Sequence, residues 1–101
     1  MKYRVQYTKN KIEGSWLGMN KYASEELGVK FKHKQPAKTI VVYKKQPKRL
    51  RVATIVHEKA EAYLMKNHNM RYKRAHRIAL KYEKKHKRFN PKTLIEMKGG
   101  M

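Results

Sequence analysis

The run Ile55-Val56-His57-Glu58-Lys59-Ala60-Glu61 holds the pattern H-E-x-x-E. Helical residues four apart rise from one face, one turn apart. His57 and Glu61 are therefore spaced as a helix presents two ligands to one metal ion. A third candidate, His76, stands in the run Tyr72-Lys73-Arg74-Ala75-His76. If both runs are helical and the chain turns back near Asn69, His76 comes nearly level with Glu61, and the three donors could converge. Two histidines and a carboxylate leave a coordination position for water, the arrangement of catalytic zinc sites. Glu58, next to the first histidine, would then be the base that takes a proton from that water. The competing reading is plainer. A His and a Glu at i,i+4 also make an ordinary helix-surface ion pair, and His76 can be a hydrogen-bonded residue between two helices. His33, His68 and His86 lie among lysines and read as surface residues.

These side chains need a helical hairpin to hold them, and the apolar pattern supplies one. Val52, Val56, Ala60 and Tyr63 recur at helical spacing, with Ala53 and Leu64 widening the stripe, which predicts a helix from about Lys48 to Lys66. Asn67-His68-Asn69 breaks it, Asn69 being tolerated in left-handed geometry. A second helix is expected from about Tyr72 to Arg88, with Ala75, Ile78, Ala79 and Tyr82 as its buried side. So short a loop makes an antiparallel αα-hairpin. Asn90-Pro91 can start one more helical turn, proline suiting the first helical position, and Gly99-Gly100-Met101 should fray.

The first half of the chain reads differently. Tyr3, Val5 and Tyr7 alternate with polar residues as a half-buried strand does. Asn10 to Gly18 is rich in turn residues. Asn20 is placed to cap a short helix through Leu27, stopped by Gly28. Val29 to Lys34 is a further candidate strand, closed by Pro36. Thr39-Ile40-Val41-Val42-Tyr43, β-branched and aromatic between Pro36 and Pro47, is the strongest strand in the chain. The expected fold is α+β: a small N-terminal sheet of two or three strands with one short helix, packed on a C-terminal antiparallel αα-hairpin. A single domain over residues 1–98 is expected, with 1–47 mainly strands and loops, 48–88 the hairpin, and 89–101 a short tail.

Residues 50–83 resemble a group of small archaeal, viral and phage proteins of unassigned activity, in which an H-E-x-x-E helix is followed by a Y-x-x-A-H helix. More distantly the arrangement is similar to the minimal zincin metallopeptidases, in which a strand precedes an H-E-x-x-H helix and a later helix adds a glutamate. That resemblance implies zinc, with His57 and Glu61 at the two helical ligand positions, Glu58 at the base and His76 at the downstream ligand. Glu61 stands where zincins have a second histidine, and His76 where they have a glutamate, so the ligand types are kept and their positions exchanged.

Charge sets the second line of expectation. Among 101 residues, 27 Lys and Arg face 7 Asp and Glu, a formal net charge of +20. Such a surplus repels itself unless a polyanion is the intended counter-charge, and nucleic acid is the common one. Lys73, Arg77, Lys81, Lys84 and Arg88 fall in one stripe of the second helix, continuous with Arg74, Lys85, Lys87 and Lys92, and only Glu83 opposes it. A second cluster, Lys44, Lys45, Lys48, Arg49 and Arg51, lies where the last strand hands over to the first long helix. Helix-turn-helix, RNA-recognition and zinc-finger signatures are absent, so contact with the phosphate backbone of DNA or RNA, with little base readout, is expected. A place inside a ribonucleoprotein is one form of this. The alternative is a zinc-dependent hydrolase built on His57, Glu58, Glu61 and His76. With no cysteine there is no disulfide framework, and no apolar run is long enough for a span or a signal core. A cytoplasmic protein is expected, a virus-encoded one included. Few Asn and Gln beside many Lys and Arg is a balance found in thermophile proteins.

Overall fold

A computed structural model describes residues 3–13, 16–29 and 38–99 of the chain. The fold is α+β. Its elements are β1 (Arg4–Thr8), β2 (Gly18–Asn20), α1 (Lys21–Leu27), β3 (Thr39–Tyr43), α2 (Lys48–Asn67), α3 (Tyr72–Lys85) and α4 (Pro91–Gly99). β3 occupies the middle of a three-stranded sheet in the order β1-β3-β2. It pairs in parallel with β1, Arg4 opposite Thr39 and Thr8 opposite Tyr43, and antiparallel with β2, Gly18 opposite Val42 and Asn20 opposite Ile40. A central strand is covered on both faces, which is why its first four residues, Thr39 to Val42, are all buried and apolar or β-branched.

The helices α2 and α3 form the antiparallel hairpin. Val56, Ala60 and Leu64 of α2 meet Ala75, Ile78, Ala79 and Tyr82 of α3 in the main core. Three expected stripe residues of α2, Val52, Ala53 and Tyr63, are only half-buried. Asn69 adopts the left-handed conformation at φ 48°, and the Met70 amide donates back to the Leu64 carbonyl at 3.3 Å. Gly28 closes α1 at φ 72°, and the side chain of Asn20 accepts from the Ala23 amide at 2.9 Å as its N-cap.

Several elements depart from expectation. The third strand is Gly18–Asn20, at the end of the segment read as turn; the strand expected over Val29 to Lys34 lies, apart from Val29, outside the described residues. Tyr7 of β1 is exposed, although Tyr3 and Val5, on the same face of the strand, are half-buried. α3 stops at Lys85 rather than Arg88, since His86 turns to an extended conformation and the following chain folds back on Tyr82. The hydroxyl of Tyr82 donates toward the Arg88 carbonyl at 3.2 Å and accepts from the Asn90 amide at 3.0 Å. The segment expected as a tail carries α4, whose Leu94 is fully buried in the main core; residues 100 and 101 lie outside the described residues. Among the described residues no helix is long and apolar enough to cross a membrane.

Candidate metal centre and basic cleft

His57 and Glu61 leave α2 on the side that faces both α3 and the strand β2, at the border between core and surface. Both are buried, Glu61 to 1% exposure and His57 to 7%. Across the hairpin His76 comes level with Glu61, as the turn at Asn69 requires. Three donor atoms meet: His57 Nε2 lies 2.9 Å from Glu61 Oε2, His76 Nδ1 lies 3.0 Å from the same oxygen, and the two nitrogens are 3.1 Å apart. A tetrahedral zinc site with donors about 2.05 Å from the ion has edges of roughly 3.3 Å between donors. The triangle is therefore within a few tenths of an ångström of what one ion needs, and the His57-Glu61-His76 group could hold a metal ion.

Each ligand candidate is steered by a neighbour. The other nitrogen of His57, Nδ1, is 3.0 Å from Glu83 Oε1. A proton on Nδ1 donated to Glu83 fixes the tautomer that leaves Nε2 free to bind a cation, the usual partnership of a metal-binding histidine. The other oxygen of Glu61, Oε1, accepts from Asn20 Nδ2 at 3.1 Å, and the same amide nitrogen donates to Glu58 Oε1 at 2.9 Å. Asn20 thus caps α1 with its oxygen and holds two carboxyl groups of α2 with its nitrogen. His76 is the exposed member, with 36% of its side chain accessible, and its ring stacks on Tyr72 with centroids 5.1 Å apart.

The electrostatics follow from burying three carboxyl groups beside two imidazoles. Burial pulls the His57 pKa down, but the hydrogen bond to Glu61 and the charges of Glu58, Glu61 and Glu83 outweigh it and raise it to about 9. Burial, then the charge of Glu61, raises Glu58 to about 8. Burial also pushes Glu61 up, yet hydrogen bonds from His57 and His76 prevail and hold it below the usual carboxylate range. His57 thus holds a proton on the nitrogen that a divalent cation would need, and proton and cation compete there.

Glu58 is placed differently from the ligands. It lies beneath β2, where the backbone of Gly18 passes so close that an added Cβ would stand 3.0 Å from Glu58 Cγ and 2.5 Å from Thr54 Cγ2. Its carboxyl is buried and engaged by Asn20.

The basic residues converge more than their sequence positions imply. Lys48 and Arg49 of α2, Lys84 and Lys85 at the end of α3 and Lys87 just after it line one cleft of about 770 Å³, with Val52, Ala53, His86 and Glu83. Glu83, read from sequence as the one acid opposing the basic stripe, turns its carboxylate inward to His57 and is 19% exposed. It forms part of the cleft wall and part of the metal surroundings at once. Lys73, Arg74, Arg77 and Lys81 are exposed along the rest of α3. Arg88 is set beside Phe89 in a neighbouring depression. Lys44 and Lys45 are exposed, and Arg51 reaches back toward the Lys44 carbonyl at 3.5 Å. The ion pairs Lys21–Glu25 and Arg71–Glu26 involve no cleft cation.

Asn20 and Glu83 are the contributors that sequence reasoning left without a site role. Asn20 signals only a cap. Glu83 carries a usable signal, lying two helical turns beyond His76 on the same face of α3. No family model, no curated protein and no solved structure matches the chain.

Proposed function

We propose that the protein binds the phosphate backbone of a nucleic acid in the cleft between the start of α2 and the end of α3, and that a zinc ion held by His57, Glu61 and His76 fixes the two helices that form it. The observation that carries this reading is the convergence of two basic clusters, distant in sequence, on one cleft. Two further features support it. No side chain caps the N-terminus of α2, so its first amide groups add to the positive end of the helix there. The exposed row Lys73, Arg77, Lys81 and Lys84 extends from the cleft along α3 for roughly 16 Å at the helical rise of about 1.5 Å per residue. Contacts of this type recognise phosphate and sugar rather than base edges, so one protein surface serves many sequences.

Zinc-dependent hydrolysis would need Glu58 to reach a metal-bound water. Its burial beneath Gly18 and its bond to Asn20 support a positional role instead, so the ion is read as structural. Binding of a labelled DNA duplex and of a structured RNA, followed by fluorescence anisotropy at low salt, tests the proposal. The expected result is binding that is weakened for every sequence alike by Lys84→Glu with Lys85→Glu. Absence of binding to both probes at low salt refutes it.

A further inference from the structure

Tyr72 stacks its ring on that of His76. Its hydroxyl oxygen, however, is 3.2 Å from His76 Nδ1, the metal-facing nitrogen. That separation matches the edges of the donor triangle, which run from 2.9 to 3.1 Å. The position is held firmly. The Tyr72 amide donates to Glu26 Oε1 at 3.0 Å, which ties the first turn of α3 to α1, and the ring is half-buried against His76.

Resting on the metal-site reading, a consequence follows for the phenol. His76 Nδ1 has one lone pair. That nitrogen faces both Glu61 Oε2, at 3.0 Å, and the Tyr72 hydroxyl; once its lone pair is given to an ion, it can neither donate to the one nor accept from the other. The phenol oxygen is then left at donor-to-donor distance from one ligand without a hydrogen bond to it. A cation lowers the pKa of groups that bind it, and an oxygen so placed has its own lone pairs to offer. We propose that Tyr72 is the fourth ligand of the site, binding the ion through its phenolate oxygen. The O–H bond breaks, an oxygen–metal bond forms, and the proton leaves to solvent.

The resulting set of two imidazoles, one carboxylate and one phenolate leaves no position for water. Four protein donors are the mark of a structural rather than a catalytic ion, so Tyr72 explains why the site staples the hairpin instead of hydrolysing a substrate. It also gives the exposed edge of the site, on the side of His76, a cover supplied by the chain itself.

Copper(II) tests this, because a phenolate bound to copper(II) gives a charge-transfer band in the visible region. The full chain, freed of metal by chelator, is titrated with copper(II) to one equivalent. The expected result is one ion bound, the band present, and phenolate ring vibrations in the resonance Raman spectrum excited within that band. Tyr72→Phe should lose the band completely while still binding copper through the three remaining donors. The Raman measurement is made on the unaltered protein, so the test does not depend on the variant folding. Copper bound at one equivalent without the band overturns Tyr72 as ligand and leaves the His57-Glu61-His76 reading standing. No copper bound overturns both. A band that survives Tyr72→Phe belongs to another tyrosine and also overturns the proposal.

Discussion

Salt dependence gives the cleft a quantitative test. Five cations line it, Lys48, Arg49, Lys84, Lys85 and Lys87. Each phosphate neutralised on duplex DNA contributes about −0.9 to the slope of log affinity against log salt, so five contacts predict a slope of roughly −4.5. Between 50 and 200 mM salt that slope amounts to a loss of about 500-fold in affinity. Replacing Lys84 and Lys85 by glutamine removes two contacts, so the slope should ease to roughly −2.7 and the loss over the same range to about 40-fold. Both side chains are exposed, so the pair can be changed without touching the core. The assay is anisotropy of a labelled duplex at four or five salt concentrations for the two proteins. Neutralising Lys73 and Arg77 farther along α3 reports how far the strand runs. A double variant that binds less tightly but keeps the parent slope would refute the argument, since the lost residues would then not have been meeting phosphates.

Three other outcomes follow from the same structure. At free zinc about 100 times its dissociation constant, binding to the folded state alone adds about 2.7 kcal/mol, so chelator should lower Tm by roughly 10–20 °C for a domain of this size; His76→Ala should abolish that difference, and a parent protein whose melting ignores both zinc and chelator contradicts the site. In the metal-free protein, His57 is raised from 6.5 to about 9, so its contribution is complete below pH 6.5 and is lost as pH rises through 9. Glu58, raised to about 8, keeps a proton that the unfolded chain has released, which acts in the same direction. Metal-free stability should therefore fall from pH 6.5 to 9, by on the order of 3 kcal/mol from His57 alone. With zinc the trend should reverse as the ligands lose their competing protons; a metal-free Tm that climbs over this window would be the wrong sign. Gly18→Ala should cost about 1–3 kcal/mol in denaturant unfolding, because the new methyl would meet Thr54 Cγ2 at 2.5 Å. Thr54 cannot easily turn away, its hydroxyl being bonded to Gln46 at 3.0 Å and to the Leu50 carbonyl at 2.8 Å, and a neutral substitution would show the approach of β2 to α2 to be looser than drawn.

The hairpin and its three candidate ligands were legible because helical periodicity is a local signal. Ala75, Ile78, Ala79 and Tyr82 repeat at that spacing and are the buried face of α3. The level placement of His76 with Glu61 followed from the turn at Asn69 alone. β2 was not legible. Gly18-Met19-Asn20 has no β-branched residue, and it is a strand because β3 offers it partners and because glycine lets it pass over Glu58. The end of α3 was misplaced for a related reason. Lys-rich sequence continues smoothly through Arg88, while the break depends on a bond from the Asn90 amide to the Tyr82 hydroxyl. The cleft could have been foreseen. The rule that sets His76 beside Glu61 also brings the start of α2 to the end of α3, and with it Lys48 and Arg49 to Lys84 and Lys85. Glu83 was hidden by its surroundings, a carboxylate among lysines that pairs instead with a buried histidine.

Amide chemical-shift mapping on the isotope-labelled, zinc-loaded protein addresses the central claim most directly. On addition of a short DNA duplex at low salt, the largest changes should fall on residues 48–53 and 83–88, the two sides of one cleft, with smaller changes continuing along α3 toward Lys73. Changes confined to the outer face of α3 or to the sheet, with the cleft amides unmoved, would contradict the account.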